Sequence, residues 1–231
     1  MDNIFKTAFE LIVHPTQFYT TIVTTTLKMA FTSSIIALLL GVLIGLLISY
    51  NNFPGKKIVV IILRTLMGLP PVAVGIIVYI LFSGTGPFGK LGLIYSVKLM
   101  IIAQIILITP IAAGMTETSM TPIINNMKPT LKGLNINPIK NLGLVLYEGK
   151  YQIVAVYLFS FARAISEVGA VQIVGGNILY KTRVMTTAIA LNYNTGDFST
   201  AVALGIILLL ISLGVNLVAA LLQFGFRSRK K

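Results

Sequence analysis

Arg163 and Glu167 stand four residues apart in the run Phe161-Ala162-Arg163-Ala164-Ile165-Ser166-Glu167-Val168-Gly169-Ala170, at the end of a long apolar segment. On a helix that spacing puts both side chains on one face, where they can pair. Charge is costly in hydrocarbon, so an intramembrane ionisable pair is a functional-site hypothesis by default. Two readings stay open: a salt bridge that fixes one helix against its neighbours, or a gate on a path through the membrane. Gly175-Gly176-Asn177 follows. Its amides could approach an anion, or it forms a plain turn. Gly68-Leu69-Pro70-Pro71 is the third feature. Pro71 lacks a backbone donor and breaks or kinks a helix. In lipid such a break persists only where protein or a cavity satisfies the freed carbonyls. It is therefore a packing kink or a pore-lining bend. Arg64, just before it, reads as a side chain that snorkels to the nearer interface.

The chemistry that is missing narrows the field. The Gly-Lys pairs Gly55-Lys56, Gly89-Lys90 and Gly149-Lys150 are not followed by Ser or Thr, as a nucleotide-binding phosphate loop requires. With no Cys and a single histidine, His14, thiolate and multi-histidine metal sites are excluded within this sequence. No nucleophile-base-acid set and no acidic cluster for a proton relay is visible. Energy for uphill transport would have to enter through another subunit.

The elements that position these residues are membrane helices. The chain is 56% hydrophobic and 10% charged, where soluble proteins carry about a quarter charged residues. Residues 29–55, 65–89, 99–116 and 198–226 hold no charge, and about 20 apolar residues cross a bilayer as a helix. A barrel would instead alternate in polarity over segments of about ten residues. The sequence thus predicts an all-α polytopic membrane protein with a single transmembrane domain over 1–231. Five spans are expected at about Thr21–Tyr50, Ile58–Phe82, Val97–Met115, Tyr147–Val168 and Ser199–Phe224. Residues 2–13 read as an interfacial helix with Ile4, Phe5, Ala8, Leu11 and Ile12 on one face. The N-terminus is a poor signal peptide, because Glu10 and His14-Pro15 interrupt it. The segment 83–97 reads as a loop.

The net charge of +12 sits mostly between and after the apolar blocks, as topology determinants do; no aromatic-basic interleaving supports nucleic-acid binding. The segments 51–57, 117–150 and 225–231 hold ten Lys and Arg against six in 1–28, 83–98 and 170–197. That bias predicts a cytoplasmic C-terminus, an outside N-terminus, a cytoplasmic segment at 121–150 and an outer loop at 170–197. Within 121–150, Thr130-Leu131-Lys132-Gly133-Leu134 reads as a short helix with a glycine stop, followed by a turn into Pro138. Held between two spans, it would make a rigid knob for a partner protein. No internal repeat suggests the inverted halves of a secondary transporter.

Taken together, these residues resemble a known family, the transmembrane permease subunit of type I ABC importers, and within it the tungstate-type permeases, close to the molybdate permeases. The resemblance runs from about residue 20 to 226. It is carried by 161–170, by Val174-Gly175-Gly176-Asn177-Ile178, by Thr182-Arg183-Val184-Met185-Thr186-Thr187 and by the Gly68–Pro71 break. It implies the type I importer fold and a homodimer around a central path gated by spans 2 and 4. It also implies a cytoplasmic ATPase dimer that grips a coupling segment of each chain, and an extracytoplasmic binding protein that delivers the oxyanion. ATP and magnesium belong to the ATPase, and no cofactor is expected on this chain. The coupling residues would be Lys128, Thr130, Leu131, Lys132, Gly133, Leu134 and Pro138, with Gly133 in the place of the family's loop glycine. Met127-Lys128-Pro129 stands where Glu-Ala-Ala is expected. The path and gate would draw on Arg163, Glu167, Gly68, Pro70, Pro71, Gly175, Gly176 and Asn177. Tungstate is the expected cargo and molybdate or another oxyanion the alternative; a stand-alone channel or secondary transporter, and a scaffold without transport, are the readings from other classes. The expected place is the cytoplasmic membrane, with lipid around the dimer.

Overall fold

The computed structural model describes residues 2–14, 16–133 and 138–227. Their regular structure is helical: α1 (Asp2–Val13), α2 (Gln17–Tyr50), α3 (Lys56–Leu66), α4 (Pro71–Phe82), α5 (Val97–Gly133), α6 (Pro138–Glu148), α7 (Lys150–Ile165), α8 (Gly169–Gly175), α9 (Met185–Thr195) and α10 (Phe198–Arg227). Among the described residues, α2, α5 over Val97–Leu131 and α10 over Phe198–Val218 are each long and apolar enough to cross a membrane. The spans expected second and fourth are both broken. α3 and α4 meet at 92°, α7 and α8 at 57°, and counting each pair as one crossing gives five. Rows of exposed apolar side chains, such as Leu39, Leu43 and Leu47 on α2 and Leu210, Leu213 and Leu217 on α10, suit hydrocarbon and not water.

Local chemistry explains the ends and breaks. α2 stops where Asn51 turns extended, and Gly55, at φ 86°, supplies the left-handed residue that starts α3. At the first break Pro71 takes the first position of α4, where its missing N–H costs nothing. Pro70, as the residue before a proline, is held extended at ψ 120°. α5 keeps Pro110, Pro122 and Pro129 inside one helix. Its flanking helices are close enough to hold it: Gly45 of α2 faces α5 so tightly that an added Cβ would lie 2.6 Å from the Ala113 carbonyl oxygen and 2.6 Å from the Thr116 Cβ. Small residues that let backbones approach are the usual glue between membrane helices, since apolar burial alone gains nothing in lipid. Buried hydrogen bonds add to it. Ser33 Oγ donates to Gln104 Oε1 (2.6 Å) and Gln104 Nε2 donates to the Ala164 carbonyl (2.8 Å), joining α2, α5 and α7. The Met185 N–H donates to Thr26 Oγ1 at 2.9 Å, so α2 caps α9. The main core gathers Ile22, Met29, Met100, Ile108, Ile165, Val174, Met185 and Leu204.

Three expectations need correction. The third span does not end at Met115; α5 continues without interruption to Gly133. The segment 121–150 is accordingly the end of a long helix followed by α6, with no separate short helix at Thr130. Met120, Ile124, Met127 and Leu131 recur every three or four residues and pack with Leu46 and Val145, so a stretch that looks hydrophilic is amphipathic. The segment 170–197, expected as an outer loop, is no open loop either. It forms α8 and α9, whose Ala170, Val174, Met185 and Ala188 are fully buried. Finally, the helix expected to run to Val168 breaks earlier: α7 ends at Ile165, which leaves Glu167 in the break and not on the helix.

Candidate translocation gate and coupling segment

The second break is built around Glu167. Arg163, in the last turn of α7, donates from Nη1 to Glu167 Oε2 at 2.6 Å. The other carboxylate oxygen, Oε1, accepts the Ala170 N–H at 3.2 Å, and the Glu167 carbonyl accepts from Thr186 Oγ1 at 2.8 Å. The anionic side chain therefore sits at the start of α8 and the cation at the end of α7, each where the helix dipole favours it. Glu167 is 4% exposed, while the Arg163 side chain is 31% exposed. The carboxylate is buried and fully engaged; the guanidinium keeps an open side.

The first break packs directly on the second. An added Cβ on Gly75 of α4 would lie 2.8 Å from the Ala170 Cα, and one on Gly169 would lie 2.8 Å from Val72 Cγ2. The two half-helices thus touch through glycines, and a shift of one must displace the other. Gly68 and Leu69 close the α3 end with N–H bonds to the Thr65 and Leu66 carbonyls (3.1 and 3.3 Å). Gly68, Pro70 and Pro71 therefore belong with Arg163 and Glu167 through the α4–α8 contact.

Gly175, Gly176 and Asn177 form a turn whose groups are largely engaged. Gly176 is left-handed at φ 67° and Asn177 at φ 51°. The Gly176 N–H is donated to Gln172, Ile178 N–H to Thr182 Oγ1 and Thr182 Oγ1 to the Gly175 carbonyl. Arg183 Nε donates to Asn177 Oδ1 at 3.2 Å. These contacts favour the turn reading over an anion cradle. Tyr95 lies against Gly176, and its hydroxyl is 3.3 Å from that of Tyr79; the bond and the charge repulsion between the two hydroxyls push the Tyr95 phenol above its ordinary value.

The residues expected to couple to an ATPase divide between core and surface. Leu131 is buried against Ile124 and Val145. Lys128 is drawn inward: its Nζ donates to the Tyr50 carbonyl at 3.0 Å and sits 5.4 Å from the centre of the Tyr50 ring. Thr130 and Gly133 are exposed, and an added Cβ on Gly133 would meet nothing within 4 Å. Pro138 opens α6. Leu134 lies outside the described residues, as does the Lys132 side chain. Leu142, Leu144 and Tyr147 of α6 are exposed, which leaves an apolar surface beside Thr130 and Gly133 in the chain.

Reading by residue type missed Glu117. Arg64 is exposed, as the snorkelling reading expects, and the structure adds a partner: its Nη2 lies 3.6 Å from Glu117 Oε2, with side-chain exposures of 61% and 9%. Glu117 closes the uncharged block 99–116. An acid at that depth, facing an arginine at the matching end of a neighbouring span, was the signal available. Gln104 was also passed over, a lone polar residue inside an apolar run; Thr186 was read only as part of the 182–187 motif. Among the described residues no cluster of His, Cys, Asp and Glu could hold a metal ion.

No family model matches the chain. Among curated proteins it is similar to the tungstate uptake system permease protein TupB of Peptoclostridium acidaminophilum, at 36% identity over 219 residues, covering 95% of this chain and 96% of the relative. It is similar to the protein of the same name from Campylobacter jejuni at 35% identity, covering 73% and 71%. A probable anion ABC transporter permease protein of Haloferax volcanii is 36% identical, covering 78% and 80%. Identity of this order along nearly the whole length, on a multi-pass helical fold with two broken spans, establishes that the chain belongs to the family of anion permease subunits of ABC transporters.

Proposed function

We propose that this chain is the membrane-spanning subunit of an ATP-driven importer that carries tungstate inward. The observation that carries the reading is the similarity over 95% of the chain to a permease named for tungstate uptake. The geometry is in keeping with it. The chain offers no phosphate loop for nucleotide, but it does offer a rigid helical arm, α5, that runs from the membrane into the segment 121–133.

In this mechanism two copies enclose a path, and a cytoplasmic ATPase dimer, which holds ATP and magnesium, grips each copy at the exposed Thr130, Gly133 and α6 residues, while the buried Leu131 anchors the end of α5 beneath them. Lys128 belongs to that knob through its bond to the Tyr50 carbonyl, and Lys132, Leu134 and Pro138 are assigned to it by the family resemblance alone. ATP binding draws the two knobs together, and this favours one state of the broken helices over the other. The α4–α8 contact transmits the shift, so Gly68, Pro70, Pro71, Arg163 and Glu167 form the gate. The open side of Arg163 attracts the anion, and Glu167 offsets the charge so that the cargo is not trapped. Gly175, Gly176 and Asn177 shape the outer rim, where an extracytoplasmic binding protein releases its load. The chain sits in the cytoplasmic membrane with its N-terminus outside and its C-terminus inside. Molybdate is the second reading for the cargo, because the Haloferax volcanii relative is named only for an anion.

The test is uptake into proteoliposomes. Radioactive tungstate should accumulate only when this chain, its ATPase, the binding protein and ATP are all present. Accumulation with this chain alone would replace the reading with that of a channel or secondary transporter.

A further inference from the structure

Glu117 is a buried acid that the gate does not use. It lies on α5 at 7% exposure, where α2, α3 and α5 meet. Thr121 Oγ1 donates to its carbonyl at 2.7 Å and lies 3.4 Å from its Oε1, while Thr118 Oγ1 lies 3.4 Å from Oε2. Ser49 Oγ of α2 donates to the same carbonyl at 3.3 Å. Its cation partner is Arg64 of α3. Two apolar contacts flank the pair. Leu63 packs with Ala113 in one small cluster, and Met67 Sδ fills the space over Gly114, 2.5 Å from where a Cβ would stand. α3 is thus held to α5 by Leu63, immediately before Arg64, and by Met67, about one turn after it.

What this clamp joins gives it meaning. On one side, Glu117 belongs to the same uninterrupted helix as Thr130 and Gly133, about 20 Å further along at 1.5 Å per residue. On the other side, Arg64 stands just before the 92° break that leads into α4, and α4 is in glycine-mediated contact with α8 at Ala170. A groove of about 830 Å³, lined by Lys57, Ile58, Ile61 and Glu117 among others, opens beside the pair. α3 therefore has room to move on that side unless something holds it. A charge pair suits the task, because it fixes one register between two helices and offers no gain in any other.

We infer that Arg64 and Glu117 are positioning residues for transport: their ion pair locks α3 to the ATPase-driven arm, so that movement of the coupling segment is passed to the gate. The inference rests on the importer reading above. It concerns a step that reading leaves open, namely how α5 acts on α4.

The test uses the complete complex in proteoliposomes and reads three quantities: assembly with the ATPase, ATP hydrolysis, and tungstate taken up per ATP hydrolysed. Arg64→Gln, Glu117→Gln, the neutral double variant and the charge-swapped Arg64→Glu/Glu117→Arg are compared with the wild type. The neutral double variant removes both charges and so leaves none buried unpaired; it should assemble and hydrolyse ATP. Its uptake per ATP should nevertheless fall by about tenfold, in the range of typical coupling between sites. The swap should restore at least half of it. If the neutral double variant transports with wild-type efficiency, the pair only packs and the inference is overturned. The same follows if the swap assembles but stays as uncoupled as the neutral pair. A single variant that fails to assemble leaves both double variants to decide. A wild-type complex that needs no ATPase for uptake would instead bring down the importer reading, a result separate from either of these.

Discussion

Replacing Arg163 with alanine strands a buried carboxylate. Glu167 is 4% exposed, and its Oε2 faces Arg163 Nη1 at 2.6 Å. Removing one partner of a buried pair costs about 3–5 kcal/mol, because the other charge stays desolvated without compensation. Against a typical total of about 5–15 kcal/mol, that is severe but survivable. Glu167→Gln should cost less. Its side-chain oxygen still accepts the Ala170 N–H, and the guanidinium, 31% exposed, can turn to water. A loss of about 1–2 kcal/mol is expected, near that of a hydrogen bond to a charged group. The double variant Arg163→Met/Glu167→Gln leaves no unpaired charge, so it should be more stable than Arg163→Ala alone. Denaturant unfolding of the purified chain in detergent gives the order, and ATP-driven uptake gives the function. If the double variant recovers stability but not uptake, the Arg163 charge acts on the anion. An Arg163→Ala chain that loses under about 1 kcal/mol, or that is more stable than the double variant, would refute the burial reasoning itself.

Other expectations follow from the close contacts. Gly75→Ala places a Cβ 2.8 Å from the Ala170 Cα, so α4 and α8 must part by nearly 1 Å; a loss of about 1–3 kcal/mol is expected, with uptake reduced more than assembly. Wild-type thermal stability and uptake in that variant would remove the α4–α8 contact from the gate. Gly45→Leu, driven against Ala113 and Thr116, should prevent stable insertion altogether, which protease resistance of membrane fractions would reveal. Gly133→Arg should leave the unfolding midpoint of the isolated chain unchanged, since nothing lies within 4 Å of the added Cβ. The same variant should fail to hold the ATPase in a pull-down; normal binding would move the docking site elsewhere.

Much of this was legible in the sequence, for identifiable reasons. Uncharged blocks of bilayer length marked the crossings because nothing else tolerates so many apolar residues. Pro70-Pro71 marked the first break through its missing donor. The pairing of Arg163 with Glu167 followed from helical spacing; α7 ends at Ile165, but Ser166 stays near helical, so the i,i+4 pair forms across the helix end. The extent of α5 was obscured because Met120, Ile124, Met127 and Leu131 are separated by polar residues, and average hydropathy hides a three-four spacing. The burial of α8 and α9 was obscured because Thr182, Thr186 and Thr187 look polar, yet they satisfy backbone groups inside the fold. Arg64 and Glu117 lie 53 positions apart, and only the way the helices pack brings them together.

Coupled transport by this chain requires the end of α5 to lie in the cytoplasm, where an ATPase presses on it. The chain has no cysteine, so Thr130→Cys provides a single thiol at an exposed site. A membrane-impermeant maleimide should label that thiol only after the cells are opened, and an assembled ATPase should shield it. Labelling in intact cells would contradict the account.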